Sequence, residues 1–172
     1  MKNLMMAVGL AALAAPAIAN ADLGVRFGLE TPIYTHVDQN GQSNSFSIGD
    51  TFQPAFNILA EWYPIGLIGL GVEFKEGFAA TGSGYSRTGT NIGPNVTLAL
   101  IPSIYFRAAL PVHVEPGNVT WNFRVAAGWK IGLPLMAFYI EAIGDFPMVG
   151  TNVTAFSSAQ QFGLGAGLWL TF

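Results

Sequence analysis

From Gln161 to Phe172 the chain alternates strictly. Phe162, Leu164, Ala166, Leu168, Leu170 and Phe172 are apolar, and the positions between them are small or polar except Trp169. Period-two alternation predicts a β-strand with one apolar face. The same period recurs upstream and predicts strands over 22–34, 50–63, 67–78, 91–101, 104–115, 118–130 and 135–146. With the terminal strand they make eight. The fifth is very regular: Ile104, Phe106, Ala108, Leu110, Val112 and Val114 form one row, and Tyr105, Arg107, Ala109, Pro111, His113 and Glu115 the other. Proline and glycine predict tight turns at 64–66, 102–103, 116–117 and 131–134. Stretches rich in Ser, Asn, Gly and Thr predict long loops over 35–48 and 79–90, with a third over 147–158.

A terminal strand this apolar is hazardous in water, because an open edge invites aggregation. Closing the sheet into a ring removes the edge, and lipid then covers the apolar row. Composition points the same way. Hydrophobic residues are 51% and charged residues 10% of the chain, well below the quarter or so of charged residues in an ordinary soluble domain. No stretch of the mature chain reads as a membrane-spanning helix; the uncharged run 91–106, for one, is interrupted by Pro94 and Pro102. The fold class expected is all-β: an eight-stranded antiparallel up-and-down transmembrane β-barrel. Short turns would lie at one end and longer loops at the other, with outward aromatics such as Trp62, Phe106, Trp129 and Phe138 forming an interfacial girdle.

Residues 1–21 carry Lys2, an uncharged, mostly apolar run and two overlapping A-x-A sites, Ala17-Ile18-Ala19 and Ala19-Asn20-Ala21. They read as a cleaved secretory signal peptide, leaving 22–172 as the barrel domain. There is no cysteine, hence no disulfide framework. The formal net charge of −3 argues against a nucleic-acid partner. The terminal Phe172, with Leu170 and Gly167 before it, resembles the C-terminal signal by which bacterial outer-membrane barrels are recognised for insertion. Architecture and proportions resemble the small barrels of the OmpA transmembrane-domain and OmpX group. That resemblance implies a Gram-negative outer-membrane location with both termini periplasmic. It also implies contact with lipid and lipopolysaccharide, and handling by the barrel-assembly machinery.

Nearly every strand charge falls on the inward row. Arg26, Lys75, Arg107, Arg124 and Lys130 face Glu30, Glu61, Glu73, Glu115, Glu141 and Asp145. Charge on the lipid side costs about 2–4 kcal/mol for Arg or Lys near the midplane, so segregation is expected. An eight-stranded interior is just wide enough for side chains to fill. The candidate site is therefore a lumen ion network of Arg26, Glu61, Glu73, Lys75, Arg107, Arg124 and Glu141. A four-residue turn at 131–134 would set Lys130 against Leu135 and Arg124 opposite Glu141.

Other chemistry is thinner. Two histidines and no cysteine give no metal site, and GLGAG at 163–167 is strand alternation with no helix after it, so no cofactor is expected. Two outer-membrane barrels of this size act on lipid A, one through loop-end His, Asp and Ser, the other through a Ser-His-Glu triad. His36, Asp38, Ser43 and Ser45 share the first long loop here, but their spacing assembles no relay, and no serine stands beside His113 and Glu115. The expectation is a non-enzymatic barrel that scaffolds or binds another envelope protein. The alternative is a narrow passage for small or hydrophobic solutes, as in OmpW-like barrels, and a lipid-A-modifying enzyme comes third.

Overall fold

A computed structural model describes residues 22–172 except 40–41, 48–51, 66, 82–83, 102, 134 and 151–158. The signal-peptide reading of 1–21 lies outside the described residues. Ten strand segments form one sheet: β1 Asp22–Gln39, β2 Gln42–Ser47, β3 Ala55–Ile65, β4 Ile68–Thr81, β5 Gly84–Ile101, β6 Ile104–Ala109, β7 Val112–Glu115, β8 Asn118–Leu133, β9 Met136–Gly150 and β10 Ala159–Thr171. Each pairs antiparallel with its neighbour, and β10 returns to β1 from Gly24↔Thr171 through Pro32↔Gly163. The ring is closed. The last residue belongs to the seam, since Phe172 N donates to Leu23 O at 2.9 Å and Leu23 N to Phe172 O at 3.1 Å.

The barrel has eight staves. β6 and β7 are two halves of one, and β2 stands outside the ring against the far end of β1. The break at Leu110–Pro111 departs from the unbroken fifth strand the pattern predicts. Proline has no N–H to give the ladder, so regular pairing stops there. The wall stays shut nonetheless: Leu110 N reaches Pro94 O at 3.0 Å, and Asn122 N reaches Pro111 O at 2.9 Å.

Two of the expected long loops are strands instead. Residues 35–47 form a hairpin of β1 and β2, from Tyr34↔Ser47 to Gln39↔Gln42. In place of a loop over 79–90, β4 runs to Thr81 and β5 starts at Gly84. Both hairpins rise past the apolar belt, where neither face needs to be greasy, so their backbone pairing leaves no period-two signal. Likewise β9 continues to Gly150, while the rest of the loop expected over 147–158 lies outside the described residues. The second strand begins at Ala55 rather than at 50. At the 116–117 turn, Gly117 has φ of 80°, the left-handed value that glycine supplies after a proline.

The outward rows are exposed and apolar, as a wall against hydrocarbon requires: Leu98, Phe106, Trp129, Phe138 and Ile140 among them. The interior is the reverse, with Arg26, Glu61, Glu73, Arg107, Arg124 and Glu141 all buried.

Candidate functional site

The lumen is built in layers from the short-turn end upward. Lowest is an aromatic plug of Tyr63, Tyr105, Tyr139 and Trp169, packed with Ala99 and Ala137. Each ring comes from the inward row of a different stave. Tyr105 meets Trp169 edge-on at 5.1 Å between centroids, and Tyr63 lies 6.2 Å from the same indole. Space for these rings is made by glycine on facing strands. A Cβ on Gly128 would overlap the Tyr105 ring, and one on Gly28 would overlap the Tyr139 hydroxyl.

Above the rings sits Arg26. Its guanidinium lies 3.6 Å from the Trp169 ring centre and 4.5 Å from that of Tyr105, a cation–π seat. Arg26 Nη2 is 2.8 Å from Glu61 and Nη1 is 3.0 Å from Glu141. Glu61 also accepts from Tyr63 Oη at 2.9 Å and from the Thr97 hydroxyl. Glu141 is shared: Arg107 Nη2 holds its other oxygen at 2.8 Å while Arg107 Nη1 donates to Glu73. Glu73 passes the chain upward to Arg124 Nη1 at 3.2 Å. Arg124 grips Asp145 with two bonds, Nε to Oδ1 at 2.6 Å and Nη2 to Oδ2 at 2.7 Å. Lys75 completes the top layer, 3.2 Å from Asp145 and 3.4 Å from Glu30, and Glu30 accepts from Asn57.

All seven residues of the expected network thus meet in one continuous stack. Their pairing is not the one the turn length predicted. β8 runs to Leu133 and β9 starts at Met136, so only two residues turn the chain. Gly128 lies opposite Glu141, and Arg124 lies opposite Asp145. Arg124 therefore pairs with Asp145, and Glu141 is left to Arg26 and Arg107. Sequence reasoning placed Glu30 and Asp145 on the inward row without assigning them to the network, and it missed the neutral partners Asn57 and Thr97. Row parity was the available signal, because both fall on inward positions of their strands. Lys130 stands at the lower end, half-buried, with Nζ 4.4 Å from the Trp169 ring centre.

Fixed ion pairs of this kind satisfy one another and occupy the space that a path would need. Among the described residues the buried side-chain groups without a hydrogen-bond partner are few: Arg26 Nε, Glu73 Oε1, Tyr105 Oη and Trp169 Nε1. Of the assembly-signal residues, Gly167 and Leu170 pair with Gly28 and Val25 on β1, while Phe172 is exposed on the wall.

The candidate catalytic residues behave differently from their sequence reading. The hairpin does bring three of them together: Ser45 Oγ lies 3.0 Å from His36 Nδ1, and Ser43 Oγ lies 3.4 Å from His36 Nε2. Tyr34 Oη adds a contact to Ser45 at 3.1 Å. Cross-strand pairing sets them on one face of the hairpin, and both serines are exposed. The side chain of Asp38 lies outside the described residues. Among the described residues no group of His, Cys, Asp and Glu is placed to hold a metal ion.

No protein-family model matches the chain, and no curated sequence does. Solved structures do. Neisserial surface protein A, NspA, aligns over 87% of this chain and 97% of its own at 12% identity, with a TM-score of 0.57. Ail, the attachment invasion locus protein of Yersinia pestis, aligns over 88% of this chain and 99% of its own at 9% identity, with a TM-score of 0.53. A second structure of Ail, in complex with the heparin analogue sucrose octasulfate, gives 10% identity and a TM-score of 0.50. By fold, the chain is a closed eight-stranded antiparallel barrel of the small outer-membrane kind to which NspA and Ail are similar.

Proposed function

We propose that this chain is a structural or partner-binding protein of the bacterial outer membrane, its wall in lipid and lipopolysaccharide and both termini periplasmic. The observation that carries this reading is the continuous ion stack over an aromatic plug, which fills the lumen instead of lining a channel. Function then falls to the surfaces that remain, above all the hairpins β1–β2 and β4–β5 at the loop end. Those hairpins carry few charges, Asp38 on the first and the paired Glu76 and Arg87 on the second. Outside the lumen, Arg87 is the one lysine or arginine among the described residues, and it is tied to Glu76 and Thr90. Among the described residues the loop end thus offers no cluster of cations for a polyanion such as the one bound to Ail, and an envelope protein with a polar face of low charge suits the hairpins better. Catalysis on lipid is not favoured, since the His36 and Ser43 pair sits on an open strand face without an enclosing pocket.

Planar-bilayer recording tests the reading. The unmodified barrel should show little or no conductance. A steady single-channel current would overturn the filled-lumen scaffold and support a narrow passage for small solutes instead.

A further inference from the structure

Above Lys75 and Asp145 the barrel is no longer filled. A cavity of about 450 Å³ opens inside the ring at the loop end, lined by residues of all eight staves. Its floor is the top of the ion stack, with the plug beneath, so it is a blind cup.

Two features indicate what such a cup would hold. The first is charge. The five inward cations are matched in number by the five carboxylates of the stack, and Glu115 is the sixth. Its side chain is 38% exposed and lines the cavity. Its neighbours are Asn118, whose Nδ2 donates to it at 2.8 Å, and the ring of His113 at 3.8 Å. The second is a set of spare amides. Among the described residues the side chains of Gln53 and Gln160 have no hydrogen-bond partner, and Asn91 and Asn122 share a single long contact of 3.5 Å. An amide offers donors and an acceptor side by side, which suits hydroxyl groups.

We infer that the cup is a binding site for a small hydroxylated primary amine, its ammonium towards Glu115 and its hydroxyls towards the amides of Asn91, Asn122 and Gln160. Among the described residues Glu115 has no lysine or arginine partner, and a carboxylate so placed between low-dielectric walls attracts a cation more strongly than it would in open water. This goes beyond the scaffold reading and shares with it only the closed floor.

The test uses the full barrel in lipid nanodiscs, with glucosamine as probe. Glucose has similar hydroxyls without the charge, and methylammonium has the charge without hydroxyls. NMR titration should show saturable shifts at Asn91, Asn122 and Glu115 with glucosamine, and both controls should bind at least about tenfold more weakly. Glu115→Gln should bring glucosamine down to the level of glucose. Asn91→Leu, a second variant on a different strand, should weaken glucosamine and glucose together. Heat-modifiable migration reports that each variant is folded. Glucose binding as well as glucosamine, unchanged binding by Glu115→Gln, or no shifts in the cup would each overturn the assignment. Conductance recorded on the same preparation separates the two readings, because a leaking floor raises current whether or not the cup binds.

Discussion

At the residue scale the decisive group is Glu141. It accepts from two arginines at once, so removing it leaves both Arg26 and Arg107 a partner short in a buried site. Breaking a buried pair on one side costs about 3–5 kcal/mol, far more than an exposed pair is worth. Glu141→Ala should therefore lower the folding free energy measured by urea titration in lipid vesicles by about 3–5 kcal/mol, whereas Glu76→Ala beside the exposed Arg87 should lower it by less than about 1 kcal/mol. Similar losses at the two positions would contradict the stack. Gly128 gives a second case. A methyl there meets the Tyr105 ring, so Gly128→Ala should destabilise by about 1–3 kcal/mol through overpacking. Combining it with Tyr105→Leu should recover part of the loss, and additive losses in the same titration would show that the two sites do not touch. Inward parity made both residues legible as lumen groups. Which acid meets which base was not legible, because a partner across the lumen is more than 30 residues away in sequence, as with Arg107 and Glu141.

Elements differ in how openly they declare themselves. β6 and β10 alternate cleanly because one face meets lipid and the other the lumen. The β1–β2 hairpin has no such contrast, and so 35–47 read as loop although the backbone of 35–39 is paired with that of 42–46. This contrast has a measurable consequence. Leu98 faces outward on β5, 39% exposed, and Asn44 is exposed on β2. Leu98→Arg should destabilise the barrel in vesicles by about 2–4 kcal/mol, while Asn44→Arg should be nearly neutral. Equal effects would place the belt wrongly. The β8–β9 connection teaches the opposite lesson. Two turn residues in place of four leave every side chain on its expected face, because the total shift is even. Yet the charge partners change completely, and Arg124 meets Asp145 in place of Glu141.

On the scale of the whole molecule, closure is the organising event. β10 pairs with β1 along its length, and the backbone of Phe172 is hydrogen-bonded into that seam. Its side chain, by contrast, is exposed and contributes little to the interior. Replacing Phe172 with Ser should thus leave refolding of purified protein into detergent almost unchanged while lowering outer-membrane levels in cells. A normal level in cells would remove the terminal strand from the role of assembly signal. The plugged lumen has a second consequence at this scale, for it gives the cup above Lys75 a closed floor.

The alternation of the chain by itself determined the all-β class, the eight staves and the inward face of the lumen charges. It could do so because lipid outside and packed polar groups inside impose opposite demands on adjacent residues. Tertiary structure alone decided the register between staves, the rise of the hairpins beyond the belt, the break at Pro111 and the sharing of Glu141 between two arginines. Those depend on turn geometry and on contacts across the lumen, where distance along the chain carries no information about distance in space.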